Sequence, residues 1–454
     1  MRQSYRILPV YTGDVSGVCS ALYELGGMVV MHDPSGCNST YNTHDEIRWY
    51  DSDSLIFLSG LRQEDAIMGG DDKLIGDITD AALVYHPLFI AICNSPIPYL
   101  NGTDFEGIAG EIEHNTGIPT FCVSSNGMYD YVRGAGLALE ALARKLFGGK
   151  GCGSTEAASG AENNSRSAVE TEENTQDRHS GKTRRSVNIL GMTPLDYAAG
   201  SCTASVRSFA VEKGWQVQSV WAMGDSLTAL QSGGKADLNL VVSSTGLAAA
   251  QYLYQRFGIP WVAGVPVGGF SDVLAQKMEE AVQTGRCGEA YHSAGCDVQI
   301  QNKTKALTYT AVIGEAVLSE SIAAALRLRG EEAAVIVTAG THEPALLAPL
   351  YTEKNSEAKE KKIYGEKGIG ATQIADDTWV CLGEEETEEA LIECAHRSDA
   401  LGAQLQVAAD PLYELIAPAG ARLIRIPQLA FSGRLYRKEF PDLMNETTWR
   451  QLWA

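Results

Sequence analysis

Residues 237–267 read DLNLVVSSTGLAAAQYLYQRFGIPWVAGVPV. The stretch begins with an almost continuous apolar run at 237–243, continues with helix-like periodicity at 247–257 and ends with a second apolar run at 260–267. Short apolar runs that alternate with amphipathic helices are typical of parallel strands whose sheet is covered by helices on both faces. The stretch therefore predicts a strand, a helix and a second parallel strand of one sheet.

The same alternation extends to both sides of this stretch. Further strand signals lie at 187–190, 215–221, 334–337, 379–382 and 422–426, and helical signals lie at 199–213 and from residues 344 and 386 onward. A chain of 454 residues is long enough for roughly two to four hydrophobic cores. The pattern predicts an α/β protein with three doubly wound, Rossmann-like parallel-sheet domains around a central cleft.

Two stretches set the expected domain boundaries. Segment 151–186 carries almost no large apolar side chain, so it cannot bury enough surface to offset the entropy of ordering, and it is predicted to be a disordered insertion or linker. It separates a first α/β domain at 1–150 from the rest. The Ala-rich stretch 306–329 has helical periodicity and is interpreted as a helix at the end of a second domain at 187–330. The third α/β domain is then expected at 331–454.

Composition excludes several classes of function. The formal net charge of -21 disfavours nucleic acid, because phosphate binding depends on clustered Lys and Arg. The first residues show no apolar signal-peptide core, and the longest nearly apolar run, 81–93, is too short to span a bilayer. We therefore expect a cytoplasmic protein that binds neither nucleic acid nor a membrane.

Three of the ten cysteines lie at or beside turn signals in the first domain. They are Cys19 in GDVSGVCSALYEL, Cys37 in HDPSGCNSTYN and Cys93 in IAICNSPIPYL. A 4Fe-4S cluster takes four cysteine ligands, so three would need a further ligand from a second chain and would place a cluster at a subunit interface. Zinc is disfavoured because no close Cys-x2-Cys pair is present. On spacing alone, thiols that serve only as small buried side chains remain the alternative.

Three stretches around these cysteines resemble one protein family. HDPSGCNSTYNTHDEIRW at 32–49, SGLRQEDAIMGGDDKLIGDI at 59–78 and AICNSPIPYLNGTDFEGIAGEIE at 91–113 are similar to the cluster-binding half of nitrogenase component 1 and its relatives, which include the dark-operative protochlorophyllide reductases. GMTPLDYAAG at 191–200 and LNLVVSSTG at 238–246 follow in family order. The resemblance implies that Cys19, Cys37 and Cys93 hold this chain's share of a 4Fe-4S cluster or of an eight-iron cluster like the P-cluster.

The resemblance also implies partners. The remaining cluster ligands would come from a second component 1-like subunit or from a second copy of this chain. Electrons would come from a separate iron-sulfur reductase, similar to the nitrogenase iron protein, which binds the ATP itself. Met68, with Gly69 and Gly70, stands where related subunits meet this reductase, although a Met at this helical spacing is equally compatible with a core position.

Two departures from the nitrogenase pattern limit the activity that the resemblance implies. Ser243 stands where nitrogenase has the cysteine that ligates the iron-molybdenum cofactor, and a hydroxyl is a poor ligand for a soft metal. The C-terminal stretch IRIPQLAFSGRLYR at 424–437 has no cofactor-binding histidine. We therefore expect no iron-molybdenum cofactor and a substrate pocket between the domains, with Ser243 and His342 as candidate pocket residues. No catalytic residue is assigned.

These observations predict the catalytic component of a nitrogenase-like oxidoreductase. It would receive electrons through an interfacial iron-sulfur cluster and reduce a small organic substrate, such as a tetrapyrrole or a sulfur compound. The alternatives are a non-catalytic scaffold for metallocluster assembly and a small-molecule sensor in which the three cysteines are idle.

Overall fold

A computed structural model describes most of the chain. It covers residues 5–34, 41, 46–148, 185–198, 200–292, 308–342, 347–351, 372–375, 377–432 and 440–454. The predicted insertion at 151–186 falls almost entirely outside these residues, and so does Cys37.

The first sheet has four parallel strands in the order β2-β1-β3-β4. The strands are β1 (Met28–His32), β2 (Leu55–Leu58), β3 (Ile90–Asn94) and β4 (Thr120–Val123). Its helices are α1 (Asp14–Leu22), α2 (Gln63–Met68), α3 (Asp71–Tyr85), α4 (Pro96–Asn101), α5 (Phe105–Thr116) and α6 (Tyr131–Phe147). β1 and most of β3 are buried and apolar, as expected for central strands covered on both faces.

The second sheet has five parallel strands in the order β6-β5-β7-β8-β9. They are β5 (Ser186–Leu190), β6 (Gln216–Val220), β7 (Leu238–Val241), β8 (Trp261–Ala263) and β9 (Gly288–Glu289). The helices between them are α7 (Pro194–Tyr197), α8 (Ser201–Glu212), α9 (Leu227–Gln231), α10 (Leu247–Phe257) and α11 (Phe270–Thr284). The strand, helix and strand predicted from residues 237–267 are β7, α10 and β8.

The third sheet has six strands in the order β12-β13-β11-β10-β14-β15, and only the edge strand β12 is antiparallel. Its strands are β10 (Thr308–Gly314), β11 (Glu332–Val337), β12 (Thr372–Ala375), β13 (Thr378–Val380), β14 (Gln404–Ala409) and β15 (Arg422–Arg425). Its helices are α12 (Ala316–Leu328), α13 (Glu384–Leu401) and α14 (Glu446–Leu452).

The third sheet corrects one sequence-based boundary. The stretch 306–329 was expected to be helical throughout, but its first half is β10, which pairs with β11 and β14 at the centre of the third sheet. Ala-rich sequence favours a helix, yet the run Tyr309–Ile313 also suits a fully buried strand, and burial between two neighbouring strands decides. Since β10 belongs to the third sheet, we propose that the boundary between the second and third domains lies before β10.

The three sheets share a topological feature. In each sheet the first strand in sequence, β1, β5 or β10, lies between strands that follow it, so the chain reverses its direction of winding beside that strand. In open α/β sheets the carboxyl ends of the strands at such a reversal form a crevice, where ligands bind. The expected doubly wound architecture is confirmed.

Helices α1 and α6 are in backbone contact, and two glycines permit it. A Cβ on Gly134 would lie 1.8 Å from the Asp14 carbonyl oxygen, and one on Gly17 would lie 2.3 Å from the Tyr131 carbonyl oxygen. The contact fixes α1, which carries Cys19, against α6, which begins at Tyr131.

The N-terminal segment packs on the third sheet and not on the first. The backbone amides of Arg6, Ile7 and Leu8 donate to Oε2 of Glu384, the first residue of α13, over 3.0, 2.8 and 2.7 Å. The Glu384 side chain is 1% exposed. This carboxylate therefore anchors the segment to the amino end of α13.

Within the described part of the chain, no helix combines the length and the apolar character needed to cross a membrane.

Candidate functional site

Cys19 and Cys93 meet in the interior of the first domain. Cys19 lies in α1 and Cys93 in β3 beside the winding reversal, and both side chains are fully buried. The two thiols lie close enough for Cys93 to affect the pKa of Cys19, and Cys93 Sγ lies 3.6 Å from the Val30 carbonyl oxygen. Neither cysteine forms a disulfide. Cys37 follows β1 in sequence but lies outside the described residues.

The surroundings keep the Cys19 thiol neutral. Burial raises its pKa well above the ordinary value, and Cys93 and the Glu46 carboxylate raise it further. A metal ion reverses this effect, because it deprotonates a coordinating thiol outright. Two adjacent buried sulfur ligands are the donor set that iron-sulfur clusters use, so these residues fit such a cluster. Among the described residues, no group of three or more potential ligands comes together.

A buried polar network lies next to Cys19, and three of its members, Tyr41, Glu46 and Arg48, belong to the family-like stretch 32–49, although the sequence analysis assigned them no role. Glu46 accepts hydrogen bonds from Ser20 at 2.8 Å and from Tyr41 at 2.9 Å, and it pairs with Arg48 Nε at 2.7 Å. Arg48 also donates to the Ser20 carbonyl oxygen at 2.8 Å. The ion pair holds the pKa of Glu46 below its usual range despite full burial. The network ties Ser20 of α1 to Tyr41, Glu46 and Arg48, which follow Cys37 in the sequence.

A second candidate site is a cavity of about 30 Å³ between the domains, large enough for about two water molecules. Its lining includes residues that follow β5, β10 and β15 and the first residue of α6, which is the helix after β4. The cavity is therefore built from elements of all three domains. The polar side chains in the lining are Tyr11, Tyr131, Asp196, Glu315, Ser319 and Gln428. The location agrees with the expected pocket between the domains.

Asp196 is the cavity residue with the most side-chain hydrogen bonds from hydroxyl groups. It accepts from Tyr131 at 2.5 Å, from Ser243 at 2.7 Å and from Thr193 at 3.3 Å. Asp196 follows β5 and Ser243 follows β7, so the winding reversal of the second sheet brings them together. Sequence reasoning missed Asp196, although its position in GMTPLDYAAG marked the loop.

Glu315 is held differently, by backbone amides. It directly follows β10 and caps α12, accepting from the amides of Val317 at 3.1 Å and Leu318 at 3.0 Å. A third amide, that of Ser244, donates from the second domain at 2.8 Å. This carboxylate therefore bridges the second and third sheets at the cavity.

The carboxyl groups of Asp196 and Glu315 interact electrostatically. Burial, and then the charge of Glu315, raise the pKa of Asp196 to about 7, whereas the hydroxyl donors oppose the rise. Burial also raises the pKa of Glu315, and the Ser244 side chain and three backbone amides oppose that rise. Two carboxyl groups that repel each other in a dry site hold a proton more readily than either would alone.

Ser243 and His342, the two predicted pocket residues, lie at different places relative to the cavity. Ser243 is fully buried and does not line the cavity itself, but its hydroxyl donates to Asp196, which does. His342 is exposed and is not part of the cavity lining. Burial raises the pKa of Asp130, at the start of α6, and a hydrogen bond from the Gly340 amide and the nearby His342 side chain oppose that rise. Among the described residues, the structure therefore does not bring Ser243 and His342 together at one site.

Met68 lies on an exposed apolar patch and not in the core. The Met68 side chain is 84% exposed, and the patch consists of Ile67, Met68, Ile97, Tyr99 and Leu100 on α2 and α4. Asn101 at the end of α4 donates to the Ala66 carbonyl oxygen of α2 at 2.9 Å, which keeps the helices together. Gly69 ends α2 with a φ of 85°, a conformation that favours glycine, and Gly70 precedes α3.

The comparisons with known proteins agree with this architecture. Residues 17–291, more than half of the chain, match the family described as nitrogenase component 1 type oxidoreductase. The solved structure of nitrogenase Cp1 at pH 5 superposes with a TM-score of 0.59 and covers 100% of this chain and 89% of that chain. Its sequence identity is 16%, so this likeness concerns the fold alone.

Two curated relatives show how wide the family is. The nitrogenase iron-molybdenum cofactor biosynthesis protein NifE of Klebsiella pneumoniae is 23% identical over 254 residues, 54% of this chain and 51% of that protein. A component of the light-independent protochlorophyllide reductase of Gloeothece citriformis is 32% identical over 127 residues, 27% of this chain and 23% of that protein. The chain spans about half or less of the length of these relatives. With the family match over residues 17–291, this chain belongs to the nitrogenase component 1 type oxidoreductases.

Proposed function

We propose that this chain is the catalytic component of a nitrogenase-like oxidoreductase that reduces an organic substrate in the central cavity. The observation that carries the proposal is the pair of adjacent buried thiols of Cys19 and Cys93. With Cys37 and ligands from a second component 1-like subunit or a second copy, they would hold an iron-sulfur cluster. The cluster would supply electron transfer, and an ATP-dependent iron-sulfur reductase would deliver the electrons.

The cavity limits the substrate. Its volume of about 30 Å³ is far below that of a tetrapyrrole ring, so a macrocycle would enter only if the walls moved. The acidic pair Asp196 and Glu315 disfavours an anionic reacting group. A neutral group, such as a carbon-carbon double bond or a thioether, fits these charges better.

The proposal is tested by anaerobic purification of the chain together with its second subunit. We expect bound iron and acid-labile sulfide, a cluster that the matched reductase reduces only with ATP, and ATP-dependent consumption of protochlorophyllide or dimethyl sulfide. Protein that stays free of iron after reconstitution would contradict the proposal.

A scaffold for metallocluster assembly is the second candidate, and the similarity to NifE over about half the chain favours it. The two functions differ in the fate of the iron. A scaffold passes its cluster to an acceptor protein, so its iron content falls when apo-acceptor is added. An enzyme keeps its iron through repeated turnover.

Replacing Met68 with Asp is expected to weaken coupling to the reductase. The apolar patch lies on α2 and α4, and α4 directly follows the strand that carries Cys93, so a partner on the patch would approach the cluster closely. A buried charge at the centre of an interface typically costs more than about 1 kcal/mol, so we expect a loss of about fivefold or more in ATP-dependent cluster reduction at limiting reductase.

The control for this prediction is Ile392→Asp, because Ile392 is an exposed apolar residue on α13 in the third domain. The control should bind and respond to the reductase as the unmodified protein does. Equal reduction rates for both variants would remove Met68 from the docking surface, and a change in oligomeric assembly would assign the patch to the second subunit.

Protein purified from its native host is expected to contain no molybdenum or vanadium. Ser243 donates its hydroxyl to Asp196 and has neither the softness nor the low pKa of a thiol ligand. Metal analysis of the unmodified protein, beside Ser243→Cys and after exposure to isolated cofactor, provides the measurement. Stoichiometric heterometal in the unmodified protein would contradict this expectation.

A further inference from the structure

The central cavity has four titratable side chains among the described residues that line it: Tyr11, Tyr131, Asp196 and Glu315. Burial raises the pKa of both tyrosines well above the ordinary value, so neither releases a proton near neutral pH. The two carboxyl groups are therefore the stronger acids in this cavity.

The hydrogen bonds distinguish these two groups. Glu315 accepts from three backbone amides, which cannot turn away and which favour the charged form, at the amino end of α12. The Asp196 carboxyl group accepts from the hydroxyl groups of Tyr131, Ser243 and Thr193, and a hydroxyl can rotate to become an acceptor. When Asp196 and Glu315 hold one proton between them, these hydrogen bonds therefore favour its position on Asp196.

We infer that Asp196 is the proton donor for the reduction in the central cavity and that Glu315 is the positioning residue whose fixed charge keeps the proton on it. The inference rests on the proposed function and adds the acid that the function requires.

The chemistry balances with the electrons that the proposed reductase supplies. A double bond that is reduced takes up two electrons and two protons, and a thioether takes up the same numbers as its C–S bond breaks to give a thiol and a hydrocarbon. After each electron the Asp196 O–H bond breaks and a new bond to hydrogen forms on the substrate, which leaves the Asp196 carboxylate. The hydroxyl groups of Tyr131, Ser243 and Thr193 stabilise that carboxylate until solvent water returns a proton to it.

The charges around Asp196 determine the pH dependence. The titratable groups that face it are Glu315 on the loop before α12, Tyr131 on α6 and Tyr197 on α7. We assign the negative charge to Glu315, because three fixed backbone amides hold it, and that charge favours the protonated form of Asp196. Because the pKa of Asp196 is about 7, the donor form is present at lower pH and disappears as the pH rises through that value. The rate of substrate reduction should therefore fall as the pH rises through about 7.

The test compares Asp196→Asn with the unmodified holoenzyme. Asn has the shape of Asp and can accept hydrogen bonds from the same hydroxyl groups, but it carries no acidic proton. We expect unchanged iron content and unchanged ATP-dependent cluster reduction, and a kcat for protochlorophyllide or dimethyl sulfide that is about two to four orders of magnitude lower. The fall in rate with rising pH should disappear, and Asp196→Glu should recover part of the activity.

Infrared spectroscopy provides a readout that needs no turnover. The carbonyl stretch of a protonated carboxyl group should be present near neutral pH, decrease as the pH rises and be absent from Asp196→Asn. It should persist in Glu289→Gln, which alters a buried carboxylate paired with His292 outside the cavity lining.

The outcomes distinguish a failure of the donor role of Asp196 from a failure of the proposed function. Turnover of Asp196→Asn within about threefold of the unmodified rate, or a carboxyl band that this substitution leaves intact, would overturn the donor role alone. If the unmodified protein with its full cluster consumed neither substrate, the proposed function would fail and the donor role with it, even if the band were present.

Discussion

Changing Cys93 to Ala will leave a folded protein that retains less than about a tenth of the iron of the unmodified protein. Cys93 lies at the winding reversal of the first sheet and its thiol lies beside that of Cys19, so its removal takes away one of the proposed sulfur ligands. Iron and acid-labile sulfide measured after anaerobic reconstitution give the result, and circular dichroism shows that the fold is kept.

The matched control is Cys122→Ala on the neighbouring strand β4. Cys122 is half-buried and its Sγ lies 2.9 Å from Glu106 Oε1, away from the Cys19 and Cys93 pair. This variant should keep its iron, as should Cys287→Ala, whereas Cys37→Ala should lose it. Iron retained by Cys93→Ala would mean that the paired thiols are only core residues.

Changing Gly134 to Ala is expected to lower the free energy of unfolding by about 3 kcal/mol or more. The added Cβ would lie 1.8 Å from the Asp14 carbonyl oxygen, and backbone on both sides leaves no flexible side chain to move away. Helices α1 and α6 would have to separate, which also displaces Cys19 and Tyr131. Urea unfolding followed by circular dichroism measures the loss, and the iron content should fall with it.

Gly110→Ala is the control, because a Cβ at Gly110 in α5 meets no atom within 4 Å. Alanine is the better helix former, so this variant should be more stable by about 0.5–1 kcal/mol. Equal stability of the two variants would show that α1 and α6 tolerate a wider separation than the structure indicates.

The architecture could be predicted because it rests on local signals. The apolar run at 237–243 and the helical period at 247–257 produced β7 and α10 where they were expected. β10 was missed because it adjoins the alanine-rich sequence of α12, and because a strand buried between two neighbours has no alternating pattern that would separate it from a helix. Pairing with strands that follow later in the chain decides its structure, and a local window does not contain that information.

The candidate site was predictable only in part, for the same physical reason. Cys19 and Cys93 were selected because turn signals and a family resemblance marked them, and their contact depends on helix α1 packing against β3. Asp196 and Glu315 are far apart in the sequence, and each looks like an ordinary loop acid. Their interaction exists only where the second and third sheets meet.

The anchor between the N-terminal segment and Glu384 affects how the protein can be engineered. Three backbone amides donate to this buried carboxylate and the Arg6 side chain forms an ion pair with it, so a substitution of the exposed Ile7 side chain leaves these contacts in place whereas removal of the segment does not. A truncated form that starts after residue 8 would leave a charge inside the third domain without these donors. Purification tags are therefore better joined to the N-terminus through added residues than exchanged for its first eight positions.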